Sequence, residues 1–201
     1  MEKDDFFDKD YIKEEVIFNI IWANIFGIVV LVIAIVIFGV PFYLLWNNNI
    51  VRLDNPTAQE RIIVAVRNFV VFFSMLLIGT VLHELIHGFF FSIFAKNKFK
   101  SVKFGIMPAN KLFTPYCHCK EKLKISQYKI AVIMPLIILG IIPAVISLIN
   151  GNILLIFLGI IFIGGAAGDI LIFLKTLKEK KDSWIFDHPS EVGFYIYRKK
   201  I

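Results

Sequence analysis

His83, Glu84 and His87 spell H-E-x-x-H inside the otherwise apolar run VLHELIHGFFFSIFAK, Val81 to Lys96. On a helix, positions i and i+4 share a face, so both imidazoles can reach one metal ion. Glu84 sits one position round, beside such an ion rather than on it, where a general base takes a proton from a metal-bound water. Neutral imidazole suits zinc, which brings the pKa of bound water to about 7.

A catalytic zinc takes a third protein ligand and keeps its fourth position for water. Asp169, in GGAAGDILIFLK, is the only charged residue between Ile153 and Leu174. At 1.5 Å rise per residue, His87 lies roughly 12 Å inside a helix ending at Ala95, and Asp169 roughly 8 Å inside one ending at Leu174. Similar depth allows a shared ion. The preceding Gly164, Gly165, Ala166, Ala167 and Gly168 form a small-residue patch of the kind that lets membrane helices approach closely. The alternatives for Asp169 are a polar partner such as Asn24 or Ser92, or the wall of a water cavity. Two further groups have metal-competent side chains: Cys117, His118 and Cys119 in PYCHCKEK, and Asp187, His188 and Glu191 in FDHPSEVGFYIY. C-x-C lacks the C-x-x-C spacing of structural zinc sites, and both groups read more readily as loop residues.

Composition tells what must position these residues. The chain has 201 residues, 58% of them hydrophobic, with 21 Phe, against roughly 45–50% apolar usage in soluble domains. Four stretches are long enough to cross a bilayer, at about 20 apolar residues each: Ile17–Trp46, Phe69–Ala95, Ile130–Ile149 and Ile153–Leu174. Gly39 and Pro41 mark a kink in the first, Pro135 and Pro143 in the third. The first is expected to be retained rather than removed as a secretion signal, because seven acidic residues precede it, its apolar run is too long and no small-residue cleavage site follows.

Lys and Arg are enriched in cytoplasmic loops near span ends. Nine Lys lie in 96–129, seven Lys or Arg in the tail after Leu174 and three Lys before the first span, whereas Asn150-Gly151-Asn152 has none. Four spans then put the N-terminal tail, the 96–129 loop and the 175–201 tail in the cytoplasm. The net charge of +6 sits where anionic lipid favours it and calls for no nucleic-acid partner. Cys117 and Cys119, on that side, should be reduced thiols. Gly105, Pro108-Ala109-Asn110 and Pro115 punctuate a crude alternation in the loop, which suggests a short β-hairpin, either a platform for an extended peptide or a basic surface lying on headgroups. The expected architecture is an all-α polytopic membrane protein, one domain over 1–201, with four transmembrane helices and a cytoplasmic hairpin.

Together these pieces resemble the putative zincin peptidases, small bacterial integral membrane proteins similar to the site-2 protease class. The matching features are His83-Glu84-Leu85-Ile86-His87-Gly88, Pro115-Tyr116-Cys117-His118-Cys119-Lys120, Gly168-Asp169, Asp187-His188-Pro189 and Glu191-Val192-Gly193. The resemblance implies His83, His87 and Asp169 as zinc ligands and Glu84 as catalytic base. It departs at the aspartate, which that class commonly carries as Asp-Gly; here glycine precedes Asp169 and Ile170 follows.

The sequence is read as a membrane-embedded zinc metallopeptidase of the bacterial cell membrane, hydrolysing a peptide or membrane-protein substrate with zinc-activated water. Its main rival is a non-catalytic metal-binding membrane scaffold or regulatory protein. Others are a small metal-ion transporter and an enzyme using the same water on a lipid-linked amide or ester.

Overall fold

The computed structural model describes residues 10–47, 57–109, 112–189 and 191–200. In chain order these form strand β1 (Tyr11–Ile17), helices α1 (Ile20–Ala34) and α2 (Val40–Trp46) joined by a π-helical turn (Ile35–Gly39), and the long helix α3 (Ala58–Phe94). A 3₁₀ turn (Lys98–Ser101) leads to β2 (Val102–Ala109), β3 (Leu112–Cys119) and β4 (Leu123–Lys124). Then come α4 (Ile125–Pro135), a second π turn (Leu136–Ile141), α5 (Ile142–Asn150), α6 (Ile153–Gly165), α7 (Ala167–Thr176), β5 (Trp184–Asp187) and β6 (Gly193–Lys199).

Three continuous helical stretches, Ile20–Trp46, Ala58–Phe94 and Ile125–Asn150, are long and apolar enough to cross a membrane. The pair α6 and α7, bent by 49°, makes a fourth when counted as one span. Their limits follow from local capping. Asn19 Oδ1 accepts from the amides of Ile21 and Trp22, at 2.9 and 3.3 Å, so the first helix begins at Ile20 and leaves Val16 and Ile17 to β1. The second begins at Ala58, well before the expected Phe69, on a reciprocal capping box: Thr57 N donates to Glu60 Oε2 at 2.8 Å, and Glu60 N donates to Thr57 Oγ1 at 3.3 Å. The expected kinks are π turns. Proline supplies no amide for the usual i−4 carbonyl, and the hydrogen-bond ladder slips by one residue next to Pro41 and Pro135.

The chain divides into two compact units. One comprises Gly27–His83 and Leu136–Ala166, and its described residues form helices and the turns between them. Its helices meet at small residues: a Cβ added to Gly159 would lie 2.9 Å from both the Ala144 amide nitrogen and the Gly140 carbonyl oxygen. The turn between α5 and α6 is closed by Gly151 at φ 72°, by Asn152 capping the amides of Leu154 and Leu155, and by Trp46 Nε1 donating to the Leu148 carbonyl at 3.1 Å.

The other unit, Met1–Phe26, Glu84–Pro135 and Ala167–Ile201, is not all-α, which corrects the expected fold class. It carries a four-stranded antiparallel sheet in the order β1-β6-β5-β4, alongside the expected β2-β3 hairpin. Asn110, the last residue of the turn signal in that hairpin, lies outside the described residues. In β5 and β6 alternate side chains point inward, and Ile185, Phe194 and Ile196 join Phe91, Ala95, Cys119, Leu123, Ile125, Tyr128, Ala131 and Val132 in one core. Strand β1 is an exposed edge guarded by Lys13, Glu14 and Glu15. Its pairing depends on Gly193, where a Cβ would lie 2.1 Å from the Val16 carbonyl oxygen. Arg198 of β6 grips both oxygens of Glu179, each at 2.8 Å, and also pairs with Glu14.

Candidate metal centre

Helix α3 places His83 and His87 one turn apart on one face. Asp169 enters from the first turn of α7, just beyond the bend after Gly165. One ligand atom from each of the three residues lies within 4.8 Å of those from the other two. Among the described residues this is the one group of three or more His, Cys, Asp or Glu side chains gathered so tightly. His87 is buried, and His83 and Asp169 are half-buried.

The two nitrogens of His87 have different partners. Nδ1 lies 2.9 Å from the carbonyl oxygen of Ala131 on α4, and Nε2 lies 3.3 Å from Asp169 Oδ1. A carbonyl can only accept, so Nδ1 carries the hydrogen, and in the neutral ring Nε2 is a lone pair directed at a carboxylate oxygen. Two lone-pair donors face each other here, and a cation joins them, whether a metal ion or a proton on Nε2 that makes the contact an ion pair. Metal-ligating histidines characteristically donate their other N–H to a backbone carbonyl, which fixes tautomer and ring plane. The donor set of two imidazoles and a carboxylate suits zinc. Phe91, one turn beyond His87, stacks on its ring at 6.2 Å between centroids.

Gly88 keeps the hairpin close to this helix. A Cβ there would come within 2.3 Å of the Phe104 ring and 3.3 Å of Val102, both on β2. Of the small-residue patch before Asp169, Ala166 and Ala167 are buried and Gly164 meets Leu31, whereas a Cβ at Gly165 or Gly168 would meet nothing within 4 Å. The patch is therefore only partly a packing surface, and it coincides with the bend that separates α6 from α7.

Ser92, offered as a polar partner for Asp169, and the rival metal ligands have other contacts. Ser92 donates its hydroxyl to the Phe89 carbonyl of its own helix at 2.7 Å. Burial, followed by the nearby carboxylates of Glu84 and Asp187, pushes the Cys117 thiol up; burial likewise raises Cys119, so both stay protonated. Burial lowers His118 despite Asp187, from which its Nδ1 lies 3.9 Å away. Burial also raises Asp187, against the hydrogen bonds it accepts from the Cys119 amide at 2.7 Å and from the Tyr128 hydroxyl. His188 Nε2 bridges to Glu15 at 2.8 Å, and its Nδ1 accepts from the Glu191 amide at 2.8 Å. The roles of Ala131 and Tyr128 carry no motif in the sequence. The one signal was a tyrosine at the mouth of an apolar span, in KISQYKIAV.

Two histidines a turn apart on one helix, joined by a carboxylate from another, are a donor set of the kind that holds a single zinc ion. The chain belongs to the putative zincin peptidase family, whose model matches residues 76–184. The matched segment holds His83, Glu84, His87, the hairpin and Asp169, and stops before Asp187 and β6. No curated protein and no solved structure matches the chain.

Proposed function

We propose that this protein is a membrane-embedded zinc metallopeptidase, with His83, His87 and Asp169 as ligands and Glu84 as general base. The gathering of those three ligand atoms within 4.8 Å is the observation that carries the reading. Bound zinc would supply Lewis acidity to polarise a peptide carbonyl and ease the ionisation of water. The chain's own residues do the rest. The Ala131 carbonyl holds the proton of His87 on Nδ1 and keeps Nε2 available. Glu84 takes the proton of the attacking water on a carboxylate oxygen and returns it to the departing amine nitrogen.

A bilayer location is supported by the outer surface of the helices, where Ile21, Trp22, Leu44 and Leu77 are each more than two-thirds exposed. Such a surface is stable against lipid, not water. By rise per residue, His87 then lies roughly 10 Å inside the α3 end at Phe94. Because β1, β4, β5 and β6 share one sheet, the N-terminal tail, the 96–129 loop and the C-terminal tail belong on one side, and their lysines favour the cytoplasm.

The test is metal content of the detergent-purified protein beside His87→Ala and Asp169→Asn. About one zinc per chain in the parent and none in either variant is the expected result; a parent that retains no metal overturns the reading.

A further inference from the structure

Asp187 is a carboxylate, only 8% exposed, placed by strand alternation on the inward side of β5 with Ile185. A buried carboxylate is a costly way to fill space, and an apolar side chain of similar volume often stabilises more. What Asp187 does instead is hold two elements. Its Oδ2 accepts from the backbone amide of Cys119 at the end of β3 at 2.7 Å, and its Oδ1 accepts from the hydroxyl of Tyr128 on α4.

Tyr128 is buried and lies three residues before Ala131, one turn along the same helix. The Ala131 carbonyl is the acceptor for His87 Nδ1. A second route runs through rings: Tyr128 packs on Phe91 with centroids 5.5 Å apart, and Phe91 stacks on His87. Both routes end on the same imidazole. Asp187 therefore sets the height of α4 against α3 at the turn where the carbonyl meets the histidine, and it ties the end of the hairpin to the same point.

We infer that Asp187 is a positioning residue for the His83, His87 and Asp169 centre, acting through Tyr128 and the Ala131 carbonyl on the orientation of His87. This rests on the reading of that cluster as a metal site. It extends the functional apparatus beyond the family-matched segment, into the tail strand.

The experiment uses the full chain in detergent, loaded with zinc and titrated against a chelator, and in parallel loaded with cobalt for its visible spectrum. The variants are Asp187→Ala, Asp187→Asn and Tyr128→Phe, with Glu179→Gln as a control that loosens the Arg198 fork in the same sheet without touching this route. Loss of an outer partner of a metal ligand costs about 10- to 100-fold in affinity. Asp187 and Tyr128 act one contact further out, through the Ala131 carbonyl, so we expect the low end of that range, about tenfold, in Asp187→Ala and Tyr128→Phe, with an altered cobalt spectrum in both. Asp187→Asn should recover most of the affinity, because its carbonyl can still accept the Cys119 amide while its NH₂ donates to the tyrosine oxygen. Glu179→Gln should melt earlier yet bind zinc as the parent does. Parental affinity and spectrum in Tyr128→Phe, or an affinity loss in Glu179→Gln equal to that of Asp187→Ala, overturns the inference and leaves the metal reading intact. A parent that binds no zinc overturns both. Should Asp187→Ala fail to fold, Tyr128→Phe and Asp187→Asn decide alone.

Discussion

His87 Nε2 faces Asp169 Oδ1 at 3.3 Å, while the Ala131 carbonyl holds the ring's only neutral-state hydrogen on the opposite nitrogen. Without metal a proton takes the ion's place: Nε2–H donates to Asp169, and imidazolium and carboxylate pair. Asp169→Asn removes the carboxylate from both roles, so the variant should lose zinc and also lose the ion pair. The metal-free Asp169→Asn protein is expected to be less stable than the metal-free parent by about 1 kcal/mol, the difference between a hydrogen bond to a charged group and a neutral one. Thermal unfolding of both chelator-stripped proteins in the same detergent checks it. A higher melting temperature for the variant would contradict the pairing of His87 with Asp169.

Glu84→Gln separates enzyme from scaffold. The amide keeps the size of the side chain and lies outside the proposed ligand set, so metal content should match the parent. Cleavage of membrane-anchored peptide mixtures, followed by mass spectrometry, should fall about 10²- to 10⁴-fold, the range for loss of a general base. Equal activity in parent and variant would remove Glu84 from the mechanism.

The site was legible in the sequence because its signals are local. H-E-x-x-H is a helical spacing, and Asp169 stands alone as a charge within its apolar stretch. The capping box that starts α3 is equally local, in Thr57-Ala58-Gln59-Glu60, yet it lies outside the uninterrupted apolar run because Glu60, Arg61 and Arg67 break the hydrophobicity. The four-stranded sheet was illegible for a different reason. β1 reads YIKEEVI, with charges along an exposed edge and no apolar face, and its partner lies at the other end of the chain. β6 does alternate, with Phe194 and Ile196 buried, but a lone alternating segment gives no partner. The bond between Tyr128 and Asp187 joins residues 59 apart, and nothing in either neighbourhood announces the other.

Gly159 and Gly168 should respond oppositely to alanine. At Gly159 the new methyl meets backbone atoms of Gly140 and Ala144 at 2.9 Å, which cannot swing aside. Gly159→Ala is expected to destabilise by about 1–3 kcal/mol through overpacking. At Gly168 the methyl meets nothing within 4 Å, and the helix gains up to about 1 kcal/mol of propensity. Unfolding temperatures in detergent give the comparison.

Glu121 links the end of α3 to the hairpin by accepting from the amides of Lys96 and Asn97, from the Asn97 side chain and from the Ser101 hydroxyl. Burial raises its carboxyl, but the hydrogen bonds from Ser101, Lys96 and Asn97 outweigh it, and the net shift is below the ordinary 4.5. A depressed folded-state value means the stabilisation is present above about 4.5 and lost as pH falls through the folded value. The stability difference between parent and Glu121→Gln, measured across that interval, should shrink towards acid. A difference that stays constant with pH would show that the carboxylate contributes no charge-dependent part.

Orientation can be read with a membrane-impermeant maleimide in a background lacking Cys117 and Cys119. Cysteines at Lys13 and Lys199, paired strands of one sheet, should react only after the cells are permeabilised. One at Asn150 should react in intact cells. The reverse pattern would invert the proposed topology.

Strand β1 pairs along its whole length with β6, Tyr11 opposite Lys199 and Ile17 opposite Gly193. A ribosome makes β1 before the four helical stretches and β6 after them, so the earlier strand waits for its partner while the helices between are made. A product stopped after α7 could insert its helices and form the hairpin, but it would lack the strand that covers β1 and neighbours β5, where Asp187 resides. The sheet is thus a clasp fastened last: helices can enter the bilayer while it is open, and the strand that precedes them is locked by the strand that follows them.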